Sequence, residues 1–184
     1  FPDINREDMY KRLKSIGAEQ IRTEFFQKRI NFDLTKSAGK KREWIRLRTD
    51  GQKTTLAYKS LNPSEGIQGQ KELEIEVSSF DDTRDIMVLA GAHLKNEQES
   101  KREIWEYNGV EITIDEWPFL NPFIDIEAQN ELAVKNVVAK LGLNWDEGIF
   151  ENTTYPYVKK YKISQQKLNN ETPLLIFDMK NPFL

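Results

Sequence analysis

Seven consecutive residues, Lys71-Glu72-Leu73-Glu74-Ile75-Glu76-Val77, alternate charged and apolar side chains without a break. Successive side chains of a strand point to opposite faces. A strand here therefore carries Leu73, Ile75 and Val77 on one face and Glu72, Glu74 and Glu76 on the other. The same alternation recurs with the opposite sign in Trp44-Ile45-Arg46-Leu47-Arg48, where Arg46 and Arg48 share a face against Ile45 and Leu47. It recurs again in Val110–Asp115, with Glu111 and Asp115 opposite Val110, Ile112 and Ile114, and in Phe123–Glu127, with Asp125 and Glu127 opposite Ile124 and Ile126. Lys59 lies on the face of its strand away from Leu56 and Tyr58, and Arg102 falls at the start of a later strand. The polar faces thus divide by sign, strand by strand.

Period-two alternation predicts strands over Glu24–Asp33, Glu43–Thr49, Thr54–Ser60, Lys71–Ser78, Lys101–Tyr107, Val110–Trp117 and Phe123–Glu127. Asn108-Gly109 between two of them is a strong hairpin signal. Ser37–Lys41 and Asn62–Gln70 read as loops. Helical spacing of Met9, Leu13 and Ile16 predicts a helix over Asp3–Gly17, with Asn5 as N-cap and Gly17 as its stop. A second helix starts at an Asp81 or Asp82 cap and ends near Gly91, a third spans Asn130–Leu141, and a short one lies around Tyr155–Tyr161. One domain over residues 1–150 with a C-terminal extension over 151–184 is the expected organisation.

Cross-strand ion pairs on a solvated sheet face explain any one of these strands, at ~0–1 kcal/mol per pair. Three like charges on one strand face are harder to explain so, because they repel unless a cation sits among them. Two arginines on one face suit a polyphosphate, which guanidinium groups clamp with paired hydrogen bonds. Composition narrows the cation. There is no cysteine and a single histidine, His93, so a metal here is held by carboxylates, which favours Mg²⁺, Mn²⁺ or Ca²⁺. A net charge of −3 gives no global attraction to nucleic acid or an anionic membrane. No apolar run approaches the ~20 residues of a membrane span, and the start does not resemble a signal peptide, so a cytoplasmic chain is expected.

In order, Trp44–Arg48, Leu56–Lys59, Lys71–Val77, Lys101–Trp105, Asn108–Glu116 and Phe123–Glu127 resemble the CYTH superfamily, the triphosphate tunnel metalloenzymes. That superfamily includes class IV adenylate cyclases, thiamine triphosphatases and inorganic tripolyphosphatases. The resemblance covers roughly Phe1 to Gly142. It implies an α+β fold, an eight-stranded antiparallel β-barrel with helices packed outside. It implies that Arg46, Arg48, Lys59 and Arg102 hold a triphosphate. It implies that Glu72, Glu74, Glu76, Asp115, Asp125 and Glu127 hold Mg²⁺ or Mn²⁺, with Glu74, Asp125 and Glu127 as catalytic carboxylates. Two departures stand out. The signature ExExK strand is not in these residues, and its expected place is ahead of Phe1. The inward Lys of the family's Lys-x-Arg strand falls on Ser100, while the neighbouring Lys101 points the other way.

The function expected on this resemblance is metal-dependent hydrolysis of an inorganic or organic triphosphate: tripolyphosphate, thiamine triphosphate or ATP. A cyclase making cyclic AMP and pyrophosphate, and a non-catalytic polyphosphate- or nucleotide-binding module, are the alternatives. Pairing into a homodimer is compatible with the family. His93 reads as structural or surface, and Trp105, Tyr107 and Trp117 as packing. Lys40, Lys41 and Arg42 read as a solvated loop. The apolar residues of the tail read as a cover for the barrel end or a subunit contact.

Overall fold

The computed structural model describes residues 1–34, 42–61, 70–150 and 154–184. The expected loops Ser37–Lys41 and Asn62–Gln70, and Lys40 and Lys41 of the basic run, lie outside the described residues, except Gln70, which opens a strand.

The elements run α1 (Arg6–Ser15), β1 (Glu19–Asp33), β2 (Arg42–Thr49), β3 (Thr54–Leu61), β4 (Gln70–Val77), α2 (Phe80–Leu89), β5 (His93–Tyr107), β6 (Val110–Glu116), β7 (Phe123–Glu127), α3 (Glu131–Lys140), α4 (Thr154–Tyr161), α5 (Gln165–Asn170) and β8 (Leu174–Leu175). They form an eight-stranded sheet in the order β4-β3-β2-β1-β5-β6-β7, with β8 paired to β5. The β1–β2–β3–β4 and β5–β6–β7 ladders are antiparallel, and the two-residue β8 is parallel to β5. Among the described residues, no helix is long and apolar enough to cross a membrane.

The chain resolves into two compact units. The first comprises Phe1–Phe26, Ser100–Leu168 and Lys180–Leu184. Its core joins Met9 and Leu13 of α1, Trp105 of β5, Val110, Ile112 and Ile114 of β6, Ile124 of β7, and Val137 and Leu141 of α3. These are the apolar positions picked by parity and helical spacing, now packed against each other. The second unit comprises Gln27–Glu99 and Asn169–Met179. Ile30, Phe32 and Leu47 form its centre, flanked by Ile45, Leu56, Val77, Phe80, Met87 and Ala92.

Local signals account for most element ends. Asn5 caps α1 by accepting from the Asp8 amide at 3.0 Å, and Asn130 caps α3 by accepting from Ala133 at 2.9 Å. Gly17 follows α1 at φ +81°, the left-handed stop that a residue with a Cβ adopts only with strain. The cap of α2 is not Asp81 or Asp82 but Ser79, whose Oγ accepts from the Asp82 amide at 3.2 Å. The two aspartates sit instead in the first turn, where they complement the helix dipole.

Two strands are longer than alternation suggests, β1 and β5 having 15 residues each. The first half of β5, His93–Ser100, lacks an apolar face because its fully buried positions are polar, Asn96 at 3% and Ser100 at 0% exposure. Asn96 accepts from Asn31 at 2.8 Å and donates to the Asn169 carbonyl at 3.3 Å, so amide pairing replaces hydrophobic packing. His93 is exposed at the head of β5, as a surface residue.

Asn108 (φ 50°) and Gly109 (φ 76°) turn the β5–β6 hairpin with Tyr107 opposite Val110, the geometry of a two-residue turn with both central residues left-handed. Gly109→Ala is expected to cost about 1 kcal/mol in urea unfolding, because a Cβ is strained at this φ although nothing crowds it.

The tail is built into both units. In the first, the hydroxyls of Tyr157 and Tyr161 donate to the carbonyls of Pro118 (2.7 Å) and Phe119 (2.6 Å). Phe183 packs against Tyr157, Tyr161 and Phe119, so the C-terminus straps the turn between β6 and β7. In the second, β8 lies along Glu97–Gln98, and the Phe177 amide donates to Glu99 at 3.0 Å.

Candidate functional site

In the second unit the register sets the polar side chains of four strands in rows. Arg29 pairs with Arg48, Arg48 with Thr55, and Thr55 with Glu76. The next row is Asn31, Arg46, Ala57 and Glu74, and the third is Asp33, Trp44, Lys59 and Glu72. Arg46, Arg48 and Lys59 therefore share one face with Glu72, Glu74 and Glu76, as parity requires.

Arg46 lies 3.2 Å from Glu72 and 3.4 Å from Glu74, Lys59 lies 3.0 Å from Glu72, and Arg48 is 3.9 Å from Glu74. Glu76 meets Lys53 at 3.4 Å at the exposed edge of the face. The cationic side chains are the more buried partners, Arg46 at 16% and Lys59 at 17% side-chain exposure against 33–38% for Glu72 and Glu74. The floor is basic and the rim acidic. Arg29 was not singled out from the sequence, though it stands two residues from Asn31 on the polar face of an alternating strand. Thr55 carries no charge and gave no signal.

In the first unit Arg102 pairs across the ladder with Asp115. Its Nε donates to Oδ1 at 2.7 Å and its Nη2 to Oδ2 at 2.8 Å, while the Thr113 hydroxyl donates to Oδ2 at 3.0 Å. Asp115 is 1% exposed. Burial works against the Arg102 charge, but Asp115 outweighs it, aided by Asp125 and Glu111, and the guanidinium is held above its ordinary pKa. Asp115, expected as a metal ligand, thus has both oxygens engaged by Arg102 and Thr113. Lys101 faces the other way, 3.7 Å from Glu116, and Ser100 shares the side of Arg102, as parity predicts.

Asp125 and Glu127 follow at alternate positions of β7, with Glu111 directly across from Glu127. The Glu127 carboxyl is pushed above the usual carboxylate range, first by burial and then by Asp125 and Glu111. A hard cation relieves such crowding, and the donors are all oxygen, so their chemistry fits Mg²⁺ or Mn²⁺. Their spacing does not complete a site: among the described residues no group of three or more His, Cys, Asp or Glu is placed to hold a metal ion. The six expected metal ligands divide between the units, Glu72, Glu74 and Glu76 in the second and Asp115, Asp125 and Glu127 in the first.

The aromatic residues pack. Trp105 is 3% and Trp117 6% exposed, and the Trp105 indole donates to Glu103, a buried carboxylate that also accepts from Tyr10 at 2.7 Å and Gln20 at 2.8 Å. This cluster ties α1 to β1 and β5 on the face away from Arg102.

An antiparallel sheet whose polar faces carry arginine and lysine on some strands and carboxylates on others defines a class of charged-face β-proteins. The chain belongs to the CYTH domain family, whose sequence pattern matches residues 5–155. Solved structures share the fold at low identity. A conserved protein of unassigned function from Pyrococcus furiosus is 19% identical at a TM-score of 0.65, over 84% of this chain and 96% of that one. A candidate adenylate cyclase from Vibrio parahaemolyticus is 13% identical at 0.63, over 84% and 92%. A candidate adenylyl cyclase from Hippeastrum, described as having a dominant triphosphatase activity, is 14% identical at 0.51, over 88% and 93%. No curated protein matches the sequence.

Proposed function

We propose that this protein is a metal-dependent triphosphatase that binds an inorganic or organic triphosphate through Arg46, Arg48, Lys59 and Arg102. The observation that carries this reading is the basic floor of the second unit, where Arg46 and Lys59 lie beneath more exposed carboxylates. A guanidinium group in that position exchanges glutamates that are about a third exposed, which bind weakly, for phosphate oxygens, which bind bidentately. Arg102 arrives already oriented, its Nε–Nη2 edge fixed on Asp115.

Hydrolysis needs little beyond positioning and charge neutralisation around the transferred phosphoryl group. Mg²⁺ or Mn²⁺, when bound, would supply positive charge to the phosphate oxygens; Glu72, Glu74 and Glu76 in the second unit, and Asp125 and Glu127 in the first, are the carboxylates that would hold such ions. Asp115 is left out of that set because Arg102 and Thr113 occupy it. Glu74, Asp125 and Glu127 are the candidates to orient the attacking water and accept its proton. Cleavage of the P–O bond to the terminal phosphorus then releases orthophosphate. The described triphosphatase activity of the Hippeastrum protein favours hydrolysis.

A cyclase is the second reading, favoured by the description of the Vibrio protein. There a ribose hydroxyl attacks the α-phosphorus and pyrophosphate leaves. Ser100 in place of an inward lysine favours a third reading, a binder without turnover. Product analysis separates them. The full-length protein, incubated with tripolyphosphate, thiamine triphosphate and ATP in Mg²⁺ or Mn²⁺, is expected to release orthophosphate. Cyclic AMP and pyrophosphate from ATP, with tripolyphosphate untouched, would establish the cyclase; binding without product would establish the binder.

A further inference from the structure

Thr113 stands between two carboxylates on the polar face of the first unit. Asp115 follows it on the same face of β6, and Asp125 lies directly across the ladder on β7. On its other side Thr113 faces Ile104 of β5. It is 3% exposed, and its neighbours Ile112 and Ile114 turn the opposite way into the core. The position suits a β-branched residue, and valine fills it as well as threonine does. What threonine adds is a hydroxyl proton.

That proton goes to Asp115, whose Oδ2 accepts from the Thr113 hydroxyl at 3.0 Å. The same oxygen accepts from Arg102 Nη2 at 2.8 Å, and Oδ1 accepts from Arg102 Nε at 2.7 Å. A strand threonine is stiff at χ1, so this third donor fixes the plane of the carboxylate against the guanidinium edge it meets. Arg102 in turn is held along its Nε–Nη2 edge. Among the described residues its Nη1 makes no hydrogen bond, and the side chain is 26% exposed, so that end of the guanidinium is open to a ligand.

We propose that Thr113 is a positioning residue: it commits Asp115 to Arg102, and through that pair it sets the affinity for the triphosphate. The inference rests on the triphosphate reading above and adds to it a neutral residue that touches neither phosphate nor metal. A hydrogen bond to a charged acceptor is stronger than one between neutral groups, so a single hydroxyl is enough to hold the pair in one geometry. Without it Oδ2 keeps only its arginine donor, Asp115 can turn, and Arg102 presents its open end in more than one orientation. What is lost is the preorganisation of the arginine, and not its charge.

Thr113→Val is expected to weaken the binding of tripolyphosphate with Mg²⁺ by about tenfold in titration calorimetry, the worth of one hydrogen bond to a charged acceptor. Thr113→Ser keeps the hydroxyl and is expected to restore most of the affinity. A double-mutant cycle shows whether the effect passes through Arg102. Arg102→Lys retains a charge for Asp115 but lacks the two-pronged edge, and in that background Thr113→Val is expected to cause little further loss. The affinity for Mn²⁺ without triphosphate is expected to stay at its wild-type value. Thr113→Ala, which also lacks the hydroxyl, takes the place of Thr113→Val if thermal melts show the latter unfolded. The same loss repeated in full in the Arg102→Lys background overturns the proposal, as does a loss that Thr113→Ser fails to restore. A changed Mn²⁺ affinity overturns it too, because Thr113 would then be supporting a metal ligand. Normal tripolyphosphate binding by both wild type and Thr113→Val overturns this inference alone. Wild-type protein that binds neither tripolyphosphate nor ATP overturns the triphosphate reading and this inference with it.

Discussion

Arg46→Ala combined with Arg48→Ala is expected to lower kcat/KM for triphosphate hydrolysis by about 10³-fold or more while leaving the protein folded. Removing one preorganised donor to a charge that builds in the transition state costs roughly 10²–10³-fold, and here two are removed from one face. The structural cost is small by comparison. The ion pairs lost join Arg46 and Arg48 to Glu72 and Glu74, whose side chains are a third exposed, and pairs of that kind contribute ~0–1 kcal/mol. Arg46 and Arg48 project from the face opposite Leu47, which stays packed with Ile30 and Phe32. Steady-state kinetics with a thermal melt of the same sample checks both halves. A charged face serving only stability gives the reverse: a lower melting point, with no ligand affinity to lose.

Asp115→Ala carries the second large effect, and it falls on stability and binding together. Breaking a buried ion pair by removing one partner costs about 3–5 kcal/mol, because the remaining charge is left uncompensated. Arg102 is partly exposed, with a side-chain exposure of 26%, so water takes up some of that charge and the expected loss is about 2–3 kcal/mol. Arg102→Met on the Asp115→Ala background is expected to recover part of it. Asp115→Asn keeps the shape and probes the role. As the partner that orients Arg102, Asp115 is needed for triphosphate affinity and not for metal affinity. Mn²⁺ binding in the absence of triphosphate is therefore expected to be unchanged in Asp115→Asn, whereas a direct metal ligand would cost that variant its Mn²⁺.

Strand alternation made the polar faces legible because it depends on nothing but chain geometry. Parity set Arg46 with Arg48, Glu72 with Glu74 and Glu76, and Arg102 apart from Lys101, and the antiparallel register then brought the basic and acidic sets onto one face. The core positions of β6 and β7 followed from the same rule, and capping chemistry fixed α1 and α3. Pattern reading failed where burial is polar. The first half of β5 hides Asn96 and Ser100 behind an amide pair, so nothing hydrophobic announced a strand there. The Asp115–Arg102–Thr113 cluster was out of reach for a related reason. Parity says which face a carboxylate takes, while the residue across the ladder decides whether it meets an arginine or a metal. Thr55 was invisible for want of charge, and only the register shows that it lies in one row with Arg29 and Arg48. The family assignment over residues 5–155 agrees with the resemblance carried by six ordered segments.

The most direct measurement is titration of the full-length protein with tripolyphosphate in Mg²⁺, followed over a range of salt concentrations and read together with orthophosphate release. Saturable one-to-one binding that weakens as salt rises, with orthophosphate produced at the same protein concentration, is the predicted result. No binding of tripolyphosphate or ATP at low salt, and no orthophosphate with either metal, would contradict it and leave the basic face as a network of internal ion pairs.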